Sequence, residues 1–159
     1  MRIGHGYDVH RYKKGRRCVF CGVEIPSDFG PDGHSDADIP VHALMDAMLG
    51  AAALGDIGSH FPDSDPAYAG ISSMELLRRV VSLTAKAGYR LGNADITIVA
   101  QKPRLAPYIQ TMRSALAEMM GTDLSRISVK ATTEEGLGFT GSGEGAAAHA
   151  VVLLEETEN

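Results

Sequence analysis

Apolar and polar residues alternate along residues 1–10, a period of two that predicts a strand. Ile3, Tyr7 and Val9 share one face, expected to be the core side; Gly4, Gly6, Asp8 and His10 share the other. Residues 17–25 read as a second strand, ended by Pro26, and 27–33 as a loop rich in Gly, Pro and Asp. A helix is expected from about Ile39 to Leu54, with Asp38 as N-cap, Pro40 in the first turn and Gly55 closing it. Residues 56–66 carry no period and many turn formers, and read as a functional loop. Ser72-Ser73-Met74-Glu75 has the form of a capping box, opening a helix to about Ala87 that Gly88 closes. Asp95 to Ala100 reads as a strand, and Gln101-Lys102-Pro103-Arg104 as a basic turn. Pro107 starts a helix with Ile109, Met112, Leu116 and Met120 along one face, ended by Gly121. Ile127 to Thr132 is a strand, 132–145 a glycine- and hydroxyl-rich loop, and 146–154 a last strand in which His149 reads as a packed histidine.

The order β-β-α-α-β-α-β-β predicts an α/β (α+β) sandwich: a mixed four-stranded sheet with helices on one face and a short extra N-terminal hairpin, one domain over residues 1–159. Small residues in the helices and on one face of the last strand suggest an oligomer.

Composition narrows the partners. With 44% hydrophobic and 22% charged residues the chain is globular. A net charge of −5 without a basic run argues against duplex nucleic acid and anionic membrane. No apolar run reaches membrane-spanning length, and the N-terminus enters patterned sequence directly, so a cytoplasmic protein is expected. Cys18 and Cys21 lack the second pair that a structural zinc site needs, and read as packing residues.

Candidate chemistry gathers around His34-Ser35-Asp36-Ala37-Asp38 and His42. His42 sits one turn into a helix, where its geometry is held in advance. Asp8 and His10 at a strand end can join it as three ligands that leave one tetrahedral vertex open, the pattern of a catalytic zinc; the same set suits non-haem iron. The alternative for Asp8 and His10 is a solvated strand end. Asp46, one turn after His42, either orients the imidazole or is a solvated helix residue. The hydroxyls and backbone N–H groups of 132–145 suit phosphate oxygens, and Glu135 can hold a Mg²⁺ that holds phosphates.

Four stretches carry a resemblance: Gly6-Tyr7-Asp8-Val9-His10; His34-Ser35-Asp36-Ala37-Asp38 with His42; Asp56-Ile57-Gly58 with Phe61-Pro62-Asp63; and Lys130-Ala131-Thr132-Thr133 through Gly143-Glu144-Gly145. In order and spacing, over nearly the whole chain, they resemble the 2-C-methyl-D-erythritol 2,4-cyclodiphosphate synthase family of the non-mevalonate isoprenoid route. The resemblance implies cyclisation of 4-diphosphocytidyl-2-C-methyl-D-erythritol 2-phosphate with release of CMP. It implies one Zn²⁺ per subunit on Asp8, His10 and His42, and a Mg²⁺ or Mn²⁺ with the diphosphate on Glu135. His34 and Thr133 match transition-state positions. Ser35, Asp56, Ile57, Gly58, Phe61, Pro62, Asp63, Ser64 and Asp65 match contacts to the methylerythritol phosphate. Ala100, Gln101, Lys102, Pro103, Arg104, Leu105 and Ala106, with Thr132, match the pocket for cytidine and diphosphate. Glu134, Phe139 and Ser142 complete the implied substrate-binding set. The resemblance further implies a homotrimer with active sites between subunits.

The chain departs from the family where Ser142 replaces a common Arg or Lys, Arg104 a common Lys, Lys102 a small residue and Cys21 a glycine, and in Pro31-Asp32. Two other readings stay open: an iron-dependent oxygenase on the same ligands, and a non-catalytic trimeric binder of phosphate or isoprenoid diphosphate.

Overall fold

Residues 39–51 are apolar on nearly every side, and a helix of that kind must be enclosed. The computed structural model describes residues 1–62 and 64–157, and in it helix α1 (Ile39–Ala51) is the centre of the molecule. Eleven of its 13 residues are buried. Seven strands follow in chain order: β1 (Arg2–Lys14), β2 (Cys18–Phe20), β3 (Val23–Ile25), β4 (Phe29–Pro31), β5 (Tyr89–Val99), β6 (Ile127–Thr132) and β7 (Gly145–Glu156). Between them lie α2 (Ile57–His60), α3 (Ser73–Lys86), α4 (Ile109–Met120) and α5 (Gly138–Gly141).

The main sheet has five strands in the order β4-β1-β7-β5-β6, one more than expected, because Phe29–Pro31 pairs with the far end of β1. It is mixed: β5 and β6 run parallel and the other pairs antiparallel. The expected strand at 17–25 is a hairpin, β2–β3. Cys21 and Gly22 both take positive φ, 52° and 74°, and so form the two-residue turn that a tight hairpin needs. Both cysteines are free and buried, in line with packing roles. Burial, reinforced by the charge of Asp38, pushes the Cys18 thiol up to about 12, and Cys21 is raised for the same reasons.

The faces of β1 are the reverse of the expectation. Ile3 is 74% exposed, Tyr7 44% and Val9 42%, while Gly4 and Gly6 lie buried under α1. A Cβ on Gly6 would fall 1.9 Å from the Ala43 carbonyl oxygen, and one on Gly4 1.9 Å from that of Ala47. The helix therefore lies directly on the strand backbone, and glycine is the residue that permits it. The small face of β7 (Ala146, Ala148 and Ala150) is buried in the same core, so its small side chains serve packing inside the chain. His149 is exposed on the other face, its Nδ1 3.2 Å from His5 Nε2, and is not a core histidine.

Asp38 caps α1 as expected, accepting the Val41 N–H, and its oxygens also take the N–H groups of Cys21 and Gly22 at 2.8 and 2.6 Å. One fully buried carboxylate thus ties the hairpin turn to the helix that carries His42. Asp38→Ala is expected to strand these buried donors and lower stability by about 2–4 kcal/mol, read from the urea midpoint at unchanged slope.

Helix α1 ends at Ala51, with Ala52 as its cap, three residues before the expected Leu54. Ser72 makes no side-chain cap on α3, so the expected capping box is not formed; Asp36 takes the Ser73 N–H instead, at 3.0 Å. Strand β5 starts at Tyr89, six residues before the expected Asp95. Helix α4 and strand β6 follow the sequence pattern closely, with Gly121 in the left-handed conformation that ends α4.

Candidate active site

Reversing β1 turns Asp8 and His10 toward α1, and this brings them to His42. His42 Nδ1 lies 3.1 Å from Asp8 Oδ2, and His10 Nε2 lies 3.2 Å from the same oxygen. One ligand atom from each residue falls within 4.8 Å of the others, a set that can hold a metal ion. The donors, a carboxylate and two imidazoles, fit a divalent cation with an open vertex. Burial alone would raise the Asp8 pKa, but hydrogen bonds and charge from His10 and His42 outweigh it and hold the carboxyl well below its usual range. An oxygen kept ionised in this way is ready to ligate.

Each imidazole is oriented from behind. His10 Nδ1 donates to the Asp32 carbonyl oxygen at 2.7 Å, leaving Nε2 for the cluster. His42 Nε2 lies 2.8 Å from Ser73 Oγ and 3.3 Å from Ser35 Oγ. Asp46, expected either to orient His42 or to be solvated, takes the Ile57 N–H at 2.8 Å and so fixes the start of α2. Burial raises its pKa. Ser73 does the orienting, and no local pattern could have identified it: it lies 31 residues from His42.

Above the cluster is a cavity of about 240 Å³ lined by Asp8, His10, His42, His34, Ser35, Ile57, Gly58 and Phe61, with Tyr68 and Leu76. The structure therefore places His34, Ser35, Ile57, Gly58 and Phe61 in one lining with Asp8, His10 and His42. Tyr68 and Leu76 were not foreseen; their apolar character is indistinguishable from core in sequence. Pro62, Ser64 and Asp65 are not in this lining. Asp65 Oδ1 accepts the Ala67 N–H, and Asp63 lies outside the described residues. Asp56 caps α2 with Oδ1, accepting from the N–H and hydroxyl of Ser59, and these bonds lower its pKa.

A second cavity, about 490 Å³, is lined by Ala100, Gln101, Pro103, Arg104, Leu105, Ala106, Ala131, Thr132, Thr133 and Glu135. Lys102 is exposed beside it, its carbonyl accepting from Tyr12. Glu134 turns its carboxylate to the buried Thr140 hydroxyl and holds the loop. Phe139 lines a different hollow with Val9, His10 and Arg11, and Ser142 donates to the Phe139 carbonyl oxygen and to Glu144.

Among the described residues the two cavities share no lining residue. Asp8 pairs with Ala148, Ala148 with Ile98, and Ile98 with Ala131, so Asp8 and Ala131 share one row of the sheet. They stand three strand spacings apart, roughly 14 Å.

A strand-and-helix Asp/His/His set that could hold a metal ion lies under a cavity, with a hydroxyl loop at the same end of the sheet, an arrangement that suits an enzyme working through a metal site. Known proteins resemble the chain over nearly its full length. The YgbB family matches residues 1–155. A 2-C-methyl-D-erythritol 2,4-cyclodiphosphate synthase of Moorella thermoacetica is 61% identical over 158 residues, covering 99% of this chain and 97% of that protein. One from Trichlorobacter lovleyi is 60% identical over 154 residues, covering 97% and 98%. A solved 2C-methyl-D-erythritol-2,4-cyclodiphosphate synthase in its CDP-bound form superposes with a TM-score of 0.89 at 40% identity, covering 97% of this chain and 100% of that one. The chain belongs to the YgbB family. It is a lyase of isoprenoid precursor synthesis, and the oxygenase and non-catalytic readings fall away. Among the described residues no helix is long and apolar enough to cross a membrane.

Proposed function

We propose how this chain, as one domain of residues 1–159, performs its reaction. The activity is 2-C-methyl-D-erythritol 2,4-cyclodiphosphate synthesis in the non-mevalonate pathway. The substrate is 4-diphosphocytidyl-2-C-methyl-D-erythritol 2-phosphate: an oxygen of the 2-phosphate attacks the β-phosphorus, the bond from that phosphorus to CMP breaks, and CMP leaves as an anion.

Asp8, His10 and His42 hold one Zn²⁺, and Glu135 a Mg²⁺ or Mn²⁺ with the diphosphate. Divalent cations in these places offset the repulsion between the two phosphate groups. The residues do the positioning. Ser35 and the 57–61 turn hold the methylerythritol phosphate in the smaller cavity, with Asp56 toward the sugar hydroxyls. The 100–106 segment and Thr132 hold the cytidyl end in the larger one, where Arg104 adds positive charge. His34 and Thr133 donate to the oxygens of the transferring phosphoryl. Attack is intramolecular and the leaving group is good, so orientation and charge neutralisation suffice without a strong base.

The roughly 14 Å between the half-sites supports a homotrimer in which one subunit's 100–106 and 132–135 segments face the next subunit's Asp8, His10 and His42. The exposed Ile3, Tyr7, Val9 and Val151 give the sheet an apolar outer face for such an assembly. The convergence of Asp8, His10 and His42 beneath the cavity carries this reading.

Purified protein incubated with the diphosphocytidyl substrate is expected to release CMP with the cyclic product in equal amount. Exhaustive chelation is expected to stop both, and added Zn²⁺ with Mg²⁺ to restore them. Undiminished CMP release after chelation would remove metal from the reaction.

A further inference from the structure

Ser73 is fully buried at the start of α3, and it contacts two partners that dictate its hydroxyl. Its Oγ lies 2.8 Å from His42 Nε2 and is hydrogen-bonded to Asp36 Oδ1. Asp36 Oδ2 accepts the Ser73 N–H at 3.0 Å, and Oδ1 also accepts the Asp38 N–H at 3.3 Å. A carboxylate can only accept, so the single Ser73 hydroxyl proton points to Asp36. Ser73 Oγ is then an acceptor toward His42, and the imidazole proton must sit on Nε2. Nδ1 is then the nitrogen turned toward the cluster, 3.1 Å from Asp8 Oδ2.

Resting on the reading that Asp8, His10 and His42 hold one divalent cation, we infer that Asp36 and Ser73 are positioning residues for that site. Asp36 sets the direction of the Ser73 hydroxyl, and Ser73 keeps a proton on His42 Nε2, so that Nδ1 is the nitrogen left to ligate. Ser35 Oγ, at 3.3 Å from Nε2, is the longer of the two acceptors and already takes the Ala37 N–H at 3.1 Å. His10 reaches the same end by another route, through the backbone oxygen of Asp32, which no side-chain substitution can remove. His42 is therefore the ligand whose tautomer depends on side chains.

Asp36→Asn tests the direction of the chain of bonds and not only its presence. The asparagine oxygen belongs on the Ser73 N–H, the nearer of the two backbone donors, so its NH₂ falls on Ser73 Oγ and, less closely, on the Asp38 N–H. The NH₂ donates to Ser73 Oγ, the hydroxyl turns to donate to His42 Nε2, and the imidazole proton moves to Nδ1, where it blocks ligation. Ser73→Ala removes the nearer acceptor and leaves Nε2–H to Ser35.

The measurement is the ¹⁵N shift pattern of the His42 ring in metal-free full-length protein, together with zinc affinity by competition with a chromogenic chelator. Wild type is expected to carry a proton on Nε2, whether or not Nδ1–H also meets Asp8, Ser73→Ala to carry it in part, and Asp36→Asn to leave Nε2 bare with the ring proton on Nδ1. Zinc affinity is expected to fall about 10–100-fold in each variant, with the double variant no weaker than the weaker single one. Weakened zinc binding with the His42 tautomer unchanged in both variants would mean a merely structural role and overturn the inference. So would unchanged tautomer and affinity together. If wild type binds no zinc, the metal reading fails, while the ring tautomers still decide whether Asp36 and Ser73 orient His42.

Discussion

His42→Ala is expected to lose zinc and to lower CMP release about 10³-fold while the fold persists. The size follows from the charge the site must manage. A bound cation supplies several kcal/mol of stabilisation to two phosphates brought together, and about 4 kcal/mol corresponds to 10³ in rate. The fold survives because alanine is the best helix former and the vacated volume opens onto an existing cavity, where water can meet Ser73 Oγ. Metal analysis, turnover and a circular-dichroism melt on one preparation separate the effects. A variant that keeps stoichiometric zinc and full turnover would remove His42 from the ligand set; one that loses its cooperative melt would show that His42 is needed to fold.

The cluster of Asp8, His10 and His42 was legible because its members are local to strong signals. Asp8 and His10 are two apart on an alternating strand, and His42 follows an Asp-Ile-Pro helix start. The supporting bonds were not legible. Ser73 and Asp36 stand 37 residues apart, and Ser73 read as part of a local cap that the chain does not form. The separation of the two cavities was also hidden, because it depends on strand order, which places β7 and β5 between β1 and β6.

Elements with one strong period and clear ends were read correctly: α4 between Pro107 and Gly121, and β6 to the residue. Errors arose where packing distance decided the outcome. The hairpin at 18–25 looked like one strand because Cys21 does not advertise a positive φ. On β1 the pattern gave the correct period and the wrong face. Ile3, Tyr7 and Val9 are the larger and more apolar set, yet the core lies on the glycine side, since α1 must approach closer than any side chain allows.

That close approach makes Gly6→Ala a small substitution with a large expected effect on the fold. The new Cβ would sit 1.9 Å from the Ala43 carbonyl oxygen and 2.7 Å from the Ala47 nitrogen, both helix backbone atoms that no rotamer change can move aside. Helix α1 must shift or tilt bodily, against a core in which Leu44, Met45, Met48 and Leu49 are all essentially enclosed. Overpacking of this kind is expected to destabilise by about 4 kcal/mol or more, lowering the melting temperature by about 8–16 °C. Ala43 follows His42 directly, so the same shift pulls the imidazole from Asp8, and zinc should be lost even at temperatures where the variant remains folded. Gly50→Ala on the same helix is the control: nothing lies within 4 Å of its Cβ, and the gain in helix propensity should stabilise by up to about 1 kcal/mol. A Gly6→Ala protein that melts with the wild type and keeps its zinc would mean that α1 does not rest on the β1 backbone, and the placement of His42 over Asp8 and His10 would lose its structural cause.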